Sequence, residues 1–128
     1  MAIEYTIDRN AGLILTRASG TLTDAELLTF KRQLTSDPDF RPGMKELSDV
    51  RNVQRFEVTS HGITCLVGQD QADGPKILGH RLAIVATDDA IFGMARMYQA
   101  LTEKTMQNVR VFRDVGQAKA WLVSATSA

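Results

Sequence analysis

Leu82-Ala83-Ile84-Val85-Ala86, with Asp88-Asp89 close behind and then Ile91, Met94, Ala95, Tyr98 and Leu101, is the stretch that decides the fold. Five apolar residues in a row do not alternate, so the run reads as a central strand covered on both faces. The later apolar positions recur at three and four residues, which is one face of a helix facing the sheet. A buried strand leading into an amphipathic helix is half of a parallel crossover unit.

Upstream, Ile3, Tyr5 and Ile7 alternate with Glu4, Thr6 and Asp8, the period of a half-buried strand. Arg9-Asn10-Ala11-Gly12 is turn chemistry, and Leu13 to Ser19 reads as the returning strand of a hairpin. Thr23-Asp24-Ala25-Glu26 has the spacing of a capping box, with Leu22 and Leu27 placed as a hydrophobic staple. Leu27, Phe30 and Leu34 share a face of the helix so started, and Asp37-Pro38 stops it. A loop to Gly43, pinned by Phe40, leads to a third strand over Lys45–Val50 that Ser48 and Asp49 interrupt. Thr59 or Ser60 caps a second helix with Ile63, Leu66 and Val67 inward, and Gly62 and Gly68 each weaken it by about 1 kcal/mol.

Downstream, Val109 to Phe112 makes a last short strand. Asp114 and Gln117 start a final helix that buries Ala118, Trp121 and Leu122. The order is ββαβαβαβα: an α/β domain with a five-stranded mixed sheet and about four helices. It occupies residues 1–123, with residues 124–128 as a frayed tail.

With 128 residues the chain has the length of one domain and can bury a sufficient core without a metal or disulfide. Lys plus Arg number 15 and Asp plus Glu number 15, scattered without runs, which argues against nucleic acid or an anionic membrane as partner. The single cysteine, Cys65, allows no intrachain disulfide and fits a cytoplasmic location. Neither a signal peptide nor an apolar run near the roughly 20 residues of a membrane span is found, so membrane insertion is not expected.

No residue set has the spacing of a catalytic, metal or nucleotide motif, so no catalytic residue, metal or cofactor is assigned. His61 and His80 read as structural residues near a helix start and a strand start. Cys65 reads as a small buried hydrophobe, although His61 at i−4 could activate it. Asp88 and Asp89 read first as helix caps. Ligands of open α/β sheets bind beyond the carboxyl ends of the strands, where Asp49, Arg51, Asn52, Thr87, Asp88, Arg113 and Asp114 fall. These residues form either a charged crevice or a solvated rim of caps and ion pairs. The candidate ligand or partner site is Arg51, Asn52, Ser60, Asp88 and Arg113, with Ser60 included because helix N-termini suit anions. Phe92 falls opposite the apolar stripe, in the sector of Arg96, Gln99 and Glu103. It is either an interface residue of a homodimer or protein complex, with Arg96 and Gln99, or is tucked under the Asp73–Gly79 loop.

Several stretches resemble the stand-alone bacterial STAS-like (SpoIIAA-like) proteins. They are Asp37-Pro38-Asp39-Phe40-Arg41-Pro42-Gly43, Ala83-Ile84-Val85-Ala86, Phe92-Gly93-Met94-Ala95-Arg96-Met97-Tyr98, Val109-Arg110-Val111-Phe112-Arg113-Asp114 and Ala118-Lys119-Ala120-Trp121-Leu122. The resemblance implies a STAS-like domain and a non-enzymatic regulatory or protein-interaction module. Anti-sigma-factor antagonists of the superfamily carry a phosphorylatable serine in an Asp-Ser-Ser-Gly-Leu context. Val58-Thr59-Ser60-His61-Gly62-Ile63 echoes it only at Ser60 and Gly62, so no phospho-switch is expected. The related lipid-carrying CRAL-TRIO group shares a similar βαβ core, but this chain lacks the length of its usual pocket. A carrier of a small apolar or lipid-like ligand beneath the helices is the alternative reading. An enzyme using carboxylates at the strand ends is a third reading.

Overall fold

Gly12, at φ 65°, turns the chain between β1 (Ile3–Asp8) and β2 (Leu13–Thr23) in the computed structural model, which describes residues 2–124. The Asp8 carboxylate accepts the N–H groups of Asn10 and Ala11, so the turn's donors are met locally. Antiparallel pairing sets Tyr5 opposite Thr16 and Ile7 opposite Ile14. β3 (Lys45–Glu57), β4 (Arg81–Val85) and β5 (Asn108–Phe112) then add parallel to β2 in chain order, giving β1-β2-β3-β4-β5. The helices are α1 (Asp24–Ser36), α2 (Ser60–Asp73), α3 (Asp89–Leu101) and α4 (Val115–Val123), with short 3₁₀ turns at Gly74–Ile77 and Thr102–Lys104. This is the mixed sheet and element order expected.

The Leu82–Ala86 run lies one strand in from the β5 edge, and β3 is the middle strand. What the apolar run registers is cover on both faces. Leu82 joins the core beneath α1, α2 and α3, while Ala83 and Val85 meet Ala118 and Leu122 of α4. β3 is also far longer than the Lys45–Val50 expected. β4 stops opposite Asp49, but Asn52 to Glu57 continue against Ser19 to Thr23, forming a two-stranded ribbon with bulges around Ala18 and Gly20. Arg51, Asn52, Gln54 and Arg55 are exposed there, so the polar residues that hid the strand belong to a segment with no further neighbour strand.

Thr23 caps α1 as expected, its Oγ1 accepting the Glu26 N–H at 3.2 Å, and Asp37 in extended geometry ends the helix. Leu22 and Leu27 pack into the same core. Thr59 caps α2, accepting from the Gly62 N–H. The Asp24 carboxylate in turn accepts both the N–H (2.8 Å) and the hydroxyl (2.6 Å) of Thr59. A Cβ at Gly62 would lie 1.9 Å from Asp24 Oδ1, so this glycine permits the close approach that joins the starts of α1 and α2. Trp121 is half-buried rather than core, with the Arg81 guanidinium 4.1 Å from its ring centre. Leu101 does not face the sheet. It is 42% exposed, because the chain leaves the helix there and Thr102, 1% exposed, takes the inward place.

Candidate functional site

Polar residues occupy apolar-spaced positions on three elements. Leu27, Phe30, Lys31 and Leu34 follow the i, i+3, i+4, i+7 rule on α1, and Ile63, Leu66, Val67 and Asp70 repeat it on α2. Lys31 and Asp70 are therefore carried inside, where Lys31 Nζ lies 3.0 Å from Asp70 Oδ1. The other Asp70 oxygen accepts from the Tyr98 hydroxyl of α3 and from Gln107 Nε2. On β3, Glu46, Ser48 and Val50 point to the same side. Glu46 is buried, with His80 Nε2 at 2.9 Å from one oxygen and the Thr16 hydroxyl at 2.9 Å from the other.

A buried charge survives only if its surroundings replace water. Burial works against the Lys31 ammonium, but the oxygens of Tyr98, Asp70 and Glu46 override it and hold its pKa above the ordinary range. Burial likewise opposes the Glu46 carboxylate, and the His80 hydrogen bond and charge, then Lys31 and Thr16, hold its pKa below the usual value. Burial pushes the Tyr98 phenol up, with Asp70 adding to the effect and Lys31 opposing it.

Against this polar floor the helices leave a pocket of about 100 Å³. Leu22, Phe30, Phe56, Ile63, Leu66 and Met94 are among its apolar wall residues, and Lys31, Glu46, Ser48 and Tyr98 also line it. The lining residues Val50 and Phe56 of β3, Ile84 of β4 and Met94 of α3 are half-buried, which places the mouth between the β2–β3 ribbon and α3. This is the region beyond the carboxyl end of β4 where a ligand is expected in such sheets, but its surface is apolar.

The charged residues expected to converge there are partnered elsewhere. Arg51 grips Asp49 with two bonds of 2.9 Å, on the sheet face that carries α4. Asn52 is exposed and paired in the ribbon with Ser19. Ser60 is exposed in the first turn of α2, and the anion at that helix start is internal, the Asp24 carboxylate. Asp88 caps α3 through the Ile91 N–H. Arg113 donates to Asp89 at 2.8 Å and to the Thr87 carbonyl at 2.9 Å, with its guanidinium 4.1 Å from the centre of the Phe92 ring. Among the described residues no hydrogen bond or ion pair joins any two of Arg51, Asn52, Ser60, Asp88 and Arg113. At the strand ends, Asp88 and Asp114 cap helices and Asp49 and Asp89 pair with Arg51 and Arg113.

Phe92 is half-buried, with the Arg113 guanidinium over its ring. Arg96 is exposed, and Gln99 Oε1 accepts the Val111 N–H at 3.2 Å, covering a donor of the edge strand β5. Asp114 caps α4 through the Gln117 N–H. Cys65 is half-buried, its Sγ 3.5 Å from His61 Nε2. Among the described residues no group of three or more His, Cys, Asp or Glu side chains could hold a metal ion. No helix there is long and apolar enough to cross a membrane.

Sequence reasoning missed Lys31, Glu46, Asp70 and Gln107, and gave His80 no partner. The available signal was a charged residue where the helical spacing of α1 and α2 calls for an apolar one.

Neither a scan of known protein families nor a search of curated proteins returns a match. Among solved structures the chain is similar to an uncharacterized protein of Shewanella loihica PV-4 from the DUF3478 family, which has a SpoIIAA-like fold. The two share 19% identity over 94% of each chain, at a TM-score of 0.61. At that identity the likeness speaks for the fold, and the chain has the SpoIIAA-like, STAS-like fold that its sequence resemblance implied.

Proposed function

We propose that the protein is a non-enzymatic binding module that holds a small, mostly apolar molecule between the sheet and α1–α3. The pocket carries this reading. Its lining is largely hydrocarbon, it opens on one side, and it measures about 100 Å³. An apolar cavity of roughly 150 Å³ is known to bind benzene, so this one suits a single ring or a short chain, with more of the ligand outside. The carboxylates at the strand ends support the non-enzymatic part, since Asp49, Asp88 and Asp89 are engaged in an ion pair, a helix cap and an ion pair. Native mass spectrometry of gently purified protein should detect a retained small molecule. Met94→Trp, which fills the mouth, should release it with the fold intact. Protein free of any small molecule, together with no binding of added apolar compounds, would refute the reading.

Docking of a protein partner is a second reading with one observation in its favour. α4 covers the sheet only over β3, β4 and β5, which leaves Leu15 of β2 47% exposed on the open half of that face. Loss of a captured partner on Leu15→Glu, with ligand binding unchanged, would favour it.

A further inference from the structure

The wall of the pocket also specifies the head group of its occupant, an inference that rests on the binding reading above. Of the four polar groups in the wall, two are fully engaged. Glu46 uses both oxygens, for His80 and Thr16, and the Tyr98 hydroxyl donates to Asp70 while accepting from Gln107. Two groups are not. The Lys31 ammonium carries three protons, and among the described residues its one acceptor within hydrogen-bonding distance is Asp70 Oδ1 at 3.0 Å. The Ser48 hydroxyl, two residues along β3 from Glu46 and on the same face, makes no hydrogen bond among the described residues. Both line the pocket, and Lys31 is only 5% exposed. Donors left over in an apolar wall lack an acceptor that a ligand oxygen would supply.

The charge of that oxygen follows from the same group of residues. The buried cation Lys31 already faces two carboxylates, Asp70 and Glu46. A ligand carboxylate would bring a third anion out of water to a cation that is already matched, and its desolvation would go uncompensated. A hydroxyl, ketone or ester oxygen accepts the same hydrogen bonds without that cost. We infer that the pocket selects a neutral, compact apolar molecule bearing one hydrogen-bond-accepting oxygen, held by Lys31 and Ser48, and discriminates against the corresponding carboxylate.

Toluene, benzyl alcohol and benzoate separate these possibilities, because they share a ring and differ at one position. Their affinities for the full chain can be read by NMR titration, for the wild type and for Ser48→Ala. Lys31→Met would leave Asp70 buried and unpaired, so Ser48→Ala, which unpairs nothing, carries the test. Benzyl alcohol should bind roughly fivefold more tightly than toluene, the worth of about one neutral hydrogen bond. Benzoate should bind at least about tenfold more weakly than the alcohol. Ser48→Ala should remove most of the alcohol's advantage and leave toluene unchanged. Equal binding of toluene and alcohol, an advantage untouched by Ser48→Ala, or tightest binding of benzoate overturns the head-group inference while the binding reading stands. Absence of binding by all three overturns both.

Discussion

Removing either partner of the Lys31–Asp70 pair leaves the other charge buried without its direct ion-pair partner. Lys31→Met and Asp70→Asn should each lower stability by about 3–5 kcal/mol, measured by urea unfolding at neutral pH. A loss below about 1 kcal/mol in both would mean that water reaches the pair. The same residues set the response to pH. The Glu46 pKa is depressed in the folded state, so its contribution is present above the ordinary carboxylate pKa and is lost as pH falls through the folded value. Lys31 and Tyr98 are raised, and the Tyr5 phenol is pushed up to about 12, by burial first and then by its hydrogen bond to Asp37. Those contributions are present below the unfolded values near pH 10 and are lost as pH rises through the folded ones. Urea midpoints should therefore fall at both extremes, and Glu46→Gln should flatten the acid limb and, by removing one of the charges that raise Lys31, change the alkaline limb less. At this scale the candidate site was poorly legible. Spacing alone places Lys31 and Asp70 on buried stripes, but which charge answers which depends on how α1, α2 and α3 meet, and no local pattern encodes that.

The helices offer a cleaner test, because two glycines of α2 share a propensity and differ in surroundings. A Cβ at Gly62 would collide with the Asp24 carboxylate that holds Thr59, whereas at Gly68 it would meet nothing within 4 Å. Gly68→Ala should thus stabilise the protein by about 0.5–1 kcal/mol, the ordinary helix gain. Gly62→Ala should destabilise it by about 1–3 kcal/mol, since the joint between α1 and α2 must open. Thermal unfolding of the two variants decides this, and a stabilising Gly62→Ala would show that the joint carries no weight. The elements that were legible are those with local punctuation. Thr23-Asp24-Ala25-Glu26 and Asp37-Pro38 bound α1, Gly12 marks the hairpin, and the apolar run marks β4. The outer half of β3 has no such mark. Its strand identity comes from pairing with residues 19–23 of β2, and its polar side faces solvent.

For the whole molecule, the sheet divides its two faces between different tasks. α4 alone closes one face over Leu47, Ala83 and Val85, while α1, α2 and α3 close the other around a polar floor and an apolar pocket. The β2–β3 ribbon and α3 flank the mouth of that pocket, so the two elements that project past β4 also frame the site. The claim that this space exists to hold a small apolar molecule is tested most directly by a methyl-resolved NMR titration with toluene. Saturable shifts are predicted at Ile63, Leu66, Ile84 and Met94, with the Arg9–Gly12 turn at the far end of the sheet unaffected. Shifts confined to the exposed face around Leu15, or no saturable shift at any of the four pocket residues, would contradict the claim.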